Sequence, residues 1–334
     1  MVAQVDAAYV RTRPSRLWAR LLSYAFFEGR PLTTRGQWIN PILFQLFALQ
    51  RRLPILRRPT APIFILGTGR SGTTILGVVL SMHRDVGFLN EPKAIWAALR
   101  DDEDLIGSYH RGRARYRFGA DDASPDLCCA AHRIYGAYLR ISMNTRIVDK
   151  YPELIFRVPF VRQIFPDAKF LFLSRNGWDT CSSIDQWSAR LGKQFHGESH
   201  DWWGVNRRKW KLLLNEIVPE HADLAPHIDS LRKLKDQRAM AALEWTVTMR
   251  EGLRLLERYP DDVMHVPYEV LCERPVTMCS RIAEFVGLDD DRVFLDYAET
   301  VMSLPAPKAE FDLPDEVRVP FRHTMDALAA RAGG

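Results

Sequence analysis

"APIFILGTGRSGTT", residues 61–74, decides how the chain is read. Its first half is a run of Ile, Phe and Leu ending in glycine, the pattern of a strand buried on both faces of a parallel sheet. "TTILGVVLSMH", 73–83, then carries apolar residues at helical spacing. Strand, glycine loop and helix in that order gather backbone N–H groups and the positive end of a helix at one point, where an anion binds. Gly67, Gly69 and Gly72 let the main chain approach a ligand closely, and Thr73 and Thr74 add hydroxyl donors. Gly67 and Gly72 have the spacing of the triphosphate loop G-x-x-x-x-G-K-[ST], but Thr73 stands where its lysine belongs. The cation lies inside the loop instead, at Arg70, whose planar fork suits a bidentate grip on an oxyanion. No strand ends in an acidic residue that fits a magnesium-binding motif well, Asp149 coming nearest, so a metal is not called for.

Working outward, "AKFLFLSR" (168–175) reads as a second buried strand, turned by Asn176 and Gly177 into a helix. "RIVDK" (146–150) looks like a strand edge and "RIYGAYLRI" (133–141) a helix. "MHVPYE" (264–269) is a third strand, followed by a helix through "TMCSRIAEFVG" that Gly287 ends. Alternating strands and helices predict an α/β fold, a P-loop-like parallel sheet with helices on both faces. We divide the chain into a basic helical arm, 1–60, and one α/β domain, 61–334. The polar stretch 100–125 reads as a long loop or mobile insertion. Residues 178–250 hold Trp178, Trp187, Trp202, Trp203, Trp210 and Trp245, mostly at core spacing; the other reading is an aromatic wall of an acceptor pocket.

The 334 residues are 47% hydrophobic and 26% charged, with a net charge of +5. Residues 1–60 contain ten arginines against Asp6 and Glu28, a charge of +8, which leaves −3 for the rest. That is a basic arm on a nearly neutral body, not the overall basic surface of a nucleic-acid binder. Two arm segments, 15–27 and 39–58, look helical and mix Leu, Phe and Trp with Arg, as interfacial helices do. Either the arm packs on the domain with its arginines solvated, or it makes peripheral membrane contact. No apolar run approaches the roughly 18 residues a membrane span needs, and no leader pattern opens the chain. Five cysteines without a C-x-x-C pair argue against a disulfide framework or zinc site. The expected location is the cytoplasm, with the inner membrane face open to the arm.

"FLFLSRNGWDTCSS" supplies a second anion site: Arg175 ends a buried strand and Ser183 follows within the next helix, both at the carboxyl edge of the sheet. Two anion sites at adjacent strand ends suit a nucleotide with phosphates at both ends. Here the sequence resembles a family. "PIFILGTGRSGTTILGVVLSMHRDV" is similar to the 5′-phosphosulfate loop of sulfotransferases that use 3′-phosphoadenosine 5′-phosphosulfate (PAPS). "FPDAKFLFLSRNGWDTCSS" is similar to their 3′-phosphate motif, and "VPYEVLCERPVTMCSRIAEFVGL" to the strand–helix unit that follows. The likeness is nearest to the tyrosylprotein and bacterial branch. It covers 61–96 and 146–187 well and 263–288 fairly.

The resemblance implies that Gly69, Arg70, Ser71, Gly72, Thr73 and Thr74 hold the 5′-phosphosulfate. It puts Arg175 and Ser183 on the 3′-phosphate, with Tyr268 near the nucleotide. "FLNEPK" resembles the segment whose glutamate deprotonates the acceptor, which makes Glu91 the base, and "VDKYPELIFR" the segment of a catalytic lysine, Lys150. A base of this kind works best with its pKa raised toward neutrality; Glu153 is the reserve. The chain departs from the family where Trp178 replaces an arginine of the 3′-phosphate motif. It also lacks the cytosolic branch's histidine base and C-terminal phosphate clamp, for which Lys308 is a stand-in. The implied function is metal-free sulfuryl transfer from PAPS to a hydroxyl acceptor: a carbohydrate, a lipid-linked group, or a small alcohol or phenol. The rivals are a P-loop nucleotide kinase and a non-catalytic, membrane-associated nucleotide-binding protein.

Overall fold

The computed structural model describes residues 3–195 and 197–332. Its main strands are β1 (Ile63–Gly67), β2 (Val86–Asn90), β3 (Arg146–Lys150), β4 (Lys169–Ser174) and β8 (Val263–Pro267). β5 (Lys193–Phe195), β6 (Glu198–Asp201) and β7 (Gly204–Val205) form a small antiparallel sheet. The five main strands pair in parallel in the order β2–β3–β1–β4–β8. Alternate side chains enter two cores: Phe64, Leu66, Phe170 and Phe172 on one face, Ile63, Ile65, Leu171 and Leu173 on the other. This is why β1 and β4 read as unbroken apolar runs. The α/β, P-loop-like parallel sheet with helices on both faces is the observed architecture.

Three arm helices, α1 (Ala7–Thr12), α2 (Ser15–Phe26) and α3 (Asn40–Gln50), precede the sheet. α4 (Thr73–Leu80), α5 (Lys93–Leu99), α6 (Pro125–Ser142), α7 (Val158–Ile164) and α8 (Gly177–Leu191) follow within it. Some boundaries differ from the sequence reading. The 39–58 helix ends at Gln50, ahead of Pro54, and the 133–141 helix begins at Pro125, where Ser124 caps the backbone of Leu127. "RIVDK" is a full strand between β1 and β2, and β2 itself escaped notice inside the loop motif. The 100–125 stretch contains only short 3₁₀ turns but is anchored. Arg100 bonds Asp102 at 2.7 Å, Arg117 bonds Glu251 at 2.9 Å, and Arg157 meets Glu103 at 2.9 Å in the interior.

β2 is an edge strand, and an edge leaves backbone groups without partners. The arm supplies them. Arg16 donates to the carbonyl of Val86 at 2.5 Å, Arg20 to that of Phe88 at 3.1 Å, and Glu28 accepts from the N–H of Asn90 at 2.8 Å. Arg20 and Glu28 form a buried ion pair, and Arg13 pairs with Asp291 at 2.6 Å. The expectation of solvated arm arginines is therefore corrected for four of them: Arg16 and Arg20 supply donors to the sheet edge, Arg13 pairs with Asp291, and Arg30 donates to the carbonyls of Gly29 and Tyr24 within the arm. Leu22, Phe27, Leu43 and Phe47 of the arm join the main core.

Candidate active site

Every predicted site residue except Ser183 lies at or just after the carboxyl end of a main strand. The 67–74 loop follows β1, Glu91 follows β2, Lys150 ends β3, Arg175 follows β4 and Tyr268 follows β8. Parallel pairing puts these ends on one edge, where open α/β sheets bind ligands.

The loop is held open by its own chemistry. Gly72 adopts φ 98°, and a Cβ there would lie 2.3 Å from the Tyr268 ring. A Cβ at Gly69 would lie 2.5 Å from the Trp202 indole, so both positions require glycine. Arg70 has a left-handed backbone, φ 71°, and its Nε donates to Ser183 Oγ at 3.2 Å. Arg175 donates to the carbonyl of Arg70 at 3.3 Å and stacks 4.8 Å over the Tyr268 ring, so the two anion sites are one continuous surface. Burial, then the like charge of Arg190, holds the Arg70 guanidinium below its ordinary pKa. Buried Arg175 Nε has no partner among the described residues. These residues fit an anionic ligand: cations set against one another beside backbone N–H groups are stabilised by negative charge between them.

Two implied contacts are corrected in detail. Ser71 is fully buried and its hydroxyl donates to the carbonyl of Thr68 at 2.5 Å, so that hydroxyl fixes the loop rather than facing a ligand. Thr73 is buried too, leaving Thr74, which lines the cleft, as the accessible hydroxyl. Trp178 is buried against Phe311 and Phe321, away from the loop. Lys308 donates its backbone N–H to Asp179 at 2.6 Å, which brings the C-terminal segment beside Arg175, 3.7 Å from Asp179.

On the other side, charges alternate. Lys150 Nζ donates to Glu91 Oε1 at 2.5 Å, Lys93 is 3.5 Å from both Glu91 and Glu153, and Lys209 is 3.3 Å from Glu153 and 2.5 Å from Glu244. Trp202 Nε1 closes the chain on Glu244 at 2.6 Å. Glu91 projects from a left-handed turn, φ 51°, pinned by its N–H to the carbonyl of Lys150 at 2.7 Å. Its expected raised pKa is corrected. Burial favours the neutral acid, but Lys150 and Lys93 outweigh it and hold Glu91 well below the usual carboxylate range. Burial likewise opposes ionisation of Glu153, yet Lys93 and Lys209 lower it to about 2. Asp149, the nearest magnesium-ligand candidate, is buried facing α5 and α6, accepting from Tyr135 at 2.6 Å and Trp96 at 3.1 Å. It cannot reach the loop from there.

Between the two sides lies a cleft of about 300 Å³ lined by Arg70, Glu91, Lys93, Lys150, Trp187 and Trp202. Arm residues Tyr24, Glu28 and Pro31–Thr34 complete its wall. Sequence reasoning missed Arg190, Lys93, Lys209 and this arm segment. Only Arg190 left a signal: with Ser183 and Trp187 it falls on one face of α8. The rings of Trp178, Trp203, Trp210 and Trp245 are core, as expected, while Trp187 and Trp202 form the aromatic wall.

The sequence model described as "Sulfotransferase family" matches residues 62–227. Over those residues the chain matches the sulfotransferase family. Among curated proteins it is 26% identical over 134 residues to nodulation protein NoeE of Sinorhizobium fredii, covering 36% of this chain and 30% of that protein. It is 27% identical over 145 residues to a protein-tyrosine sulfotransferase of Drosophila melanogaster, covering 42% of this chain and 27% of that one. The chain thus aligns with under a third of the length of either relative. The sulfotransferase domain of the Synechococcus PCC 7002 olefin synthase is 17% identical, covers 82% of this chain and 96% of that one, and superposes with a TM-score of 0.47.

Proposed function

We propose that the chain is a PAPS-dependent sulfotransferase that moves the sulfuryl group to a hydroxyl acceptor. The observation that carries this reading is the Lys150–Glu91 pair, 2.5 Å apart at adjacent strand ends beside an anion loop that has no triphosphate lysine. The acceptor oxygen attacks sulfur as the bond from sulfur to the 5′-phosphate oxygen breaks, and Glu91 takes the acceptor's proton. Lys150 and Arg70 neutralise the charge that develops on the departing phosphate. As Lys150 turns from Glu91 to that oxygen, Glu91 loses its strongest pair and becomes more basic when a proton must be taken. The paired state in this structure is therefore the resting form of a base, not an argument against one. Gly69, Gly72 and Thr74 face the 5′-phosphosulfate in this reading, with Ser71 and Thr73 contributing backbone. Arg175, Ser183 and Tyr268 take the 3′-phosphate and the nucleoside.

The reaction needs no metal, so turnover should survive EDTA. The kinase alternative lacks support from Asp149, which is turned away, and nothing favours nucleic acid as a partner. We keep 1–60 as an arm of the 61–334 domain. Among the described residues no helix is long and apolar enough to cross a membrane; we place the enzyme in the cytoplasm with the arm in peripheral contact with the inner membrane face.

The test is ligand selectivity. Adenosine 3′,5′-bisphosphate at about 100 times its dissociation constant should add roughly 2.7 kcal/mol of stability, and ATP with magnesium much less. Arg175→Ala should remove most of the difference. Stronger stabilisation by ATP would sink the reading; no shift with either ligand would favour the non-catalytic alternative.

A further inference from the structure

Nine of the thirteen large apolar side chains exposed among the described residues lie between Trp18 and Leu56. Trp38 (74% exposed), Ile42 and Leu49 fall at spacings of four and seven, along one outer stripe of the turn before α3 and α3 itself. Leu53, Ile55 and Leu56, on either side of Pro54, continue the run of exposed apolar side chains. The opposite side of α3 buries Leu43 and Phe47 in the core, so the outer stripe is in excess of what folding uses.

The arm's exposed charges are mostly of one sign. Arg11, Arg35, Arg51, Arg52 and Arg58 are exposed; of the arm's two acids Glu28 is buried, and Asp6 caps α1. Exposed arginines interleaved with Trp, Leu and Ile match a bilayer carrying anionic head groups, with apolar side chains entering the interface and guanidiniums meeting phosphates.

The same surface is tied to the cleft. Gln37, next to Trp38, donates to the carbonyls of Leu32 at 2.7 Å and Thr34 at 3.0 Å. Asn40, at the start of α3, accepts from the N–H of Arg30 at 2.8 Å and donates to its carbonyl at 2.7 Å. The Pro31–Thr34 turn that walls the cleft is thus clamped to the end of α3 that carries the exposed stripe. On the sulfotransferase reading, we infer that the acceptor is an amphiphile presented by an anionic membrane, its hydroxyl head group entering past the Pro31–Thr34 turn to Glu91 while its apolar part stays in the bilayer under α3.

Full-length protein should bind vesicles of phosphatidylcholine with phosphatidylglycerol about tenfold more tightly than vesicles of phosphatidylcholine alone, and salt should erase the difference. Trp38→Ser with Ile42→Ser should lower that binding about tenfold, while the stabilisation by adenosine 3′,5′-bisphosphate stays unchanged, because both side chains are exposed and outside the donor site. With ³⁵S-labelled PAPS, label should appear in the total lipid of the producing cells rather than in their aqueous extract, and the double variant should lower it. Vesicles ignored at low salt, label confined to the aqueous extract, label in neither fraction, or self-association through this stripe in place of vesicle binding would each overturn the inference. The bisphosphate shift separates the two readings: if it persists when the vesicle result fails, only the amphiphile is lost; if it is absent, sulfuryl transfer itself falls.

Discussion

The two sides of the cleft are built on opposite electrostatic plans. On the donor side, Arg70, Arg175 and Arg190 converge with Asp179 as the nearby acid, and the positive charge is in excess. On the acceptor side, Lys150, Lys93 and Lys209 alternate with Glu91, Glu153 and Glu244, three cations against three carboxylates, and the charge closes on itself. An excess of cations selects an anion; a balanced ladder in a buried site offers donors and acceptors without attracting net charge. On the proposed reading, the contrast suits a charged sulfuryl donor on one side and an uncharged hydroxyl acceptor on the other. Lys150 and Glu91 stand where the two plans meet.

A third region makes its own contrast. Arg16 and Arg20 are buried at the β2 edge, whereas Arg51 and Arg52, from the same arm, are exposed. One set serves the sheet edge; of the other, Arg51 donates only to the carbonyl of Ala98 at the surface, at 3.0 Å. The largest expected effect follows from this. Arg20→Met leaves Glu28 buried without its partner and the Phe88 carbonyl without its donor, so unfolding in urea should show a loss of about 3–5 kcal/mol. Arg52→Met, by comparison, should change stability by less than about 0.5 kcal/mol. Similar losses would erase the distinction between the two sets.

Next is the meeting point of donor and acceptor sides. Lys150→Ala and Glu91→Gln should each lower kcat about 100-fold or more, near 2.7 kcal/mol, with bisphosphate affinity little changed. A variant that alters KM alone would move that residue from the chemistry to binding. If Glu91→Gln is nearly normal, the base role passes to Glu153, which Lys93 and Lys209 hold ionised as Lys150 and Lys93 hold Glu91.

How much of this was legible depends on how local each feature is. The donor loop is one contiguous stretch whose glycines are demanded by ring contacts at Gly69 and Gly72, and it could be read directly. Arg175 was legible because it ends a stretch that reads as a strand, whereas Glu91 came only from the resemblance carried by "FLNEPK", since β2 was not read as a strand. The rest of the opposite side was not: Lys93 became a cleft residue only once β2 and β3 were paired, and Lys209 and Trp202 arrive from the Trp-rich middle. Nothing in the arm's sequence distinguishes the arginines that cap a sheet edge from those that remain exposed. That separation needs the register of β2, which no local pattern encodes.

The smallest expected effect on turnover sharpens the same boundary from behind. Asp149 precedes Lys150 in β3, and the alternation of a strand sends its side chain to the opposite face, against Tyr135 and Trp96. Burial raises its pKa to about 7, above the roughly 3.9 of an unfolded aspartate. The folded protein therefore binds a proton that the unfolded chain releases between about pH 4 and pH 7, and Asp149 costs more stability as pH rises through that window. Asp149→Asn does not titrate, so its stability relative to the parent should climb by at least about 1 kcal/mol from pH 4 to pH 8. Its turnover should stay within about twofold of the parent, because no step at the loop uses this carboxylate. A collapse of turnover in Asp149→Asn that added magnesium modulates would instead join Asp149 to the donor side, and the separation of that cationic surface from the carboxylate on the far face of β3 would fail.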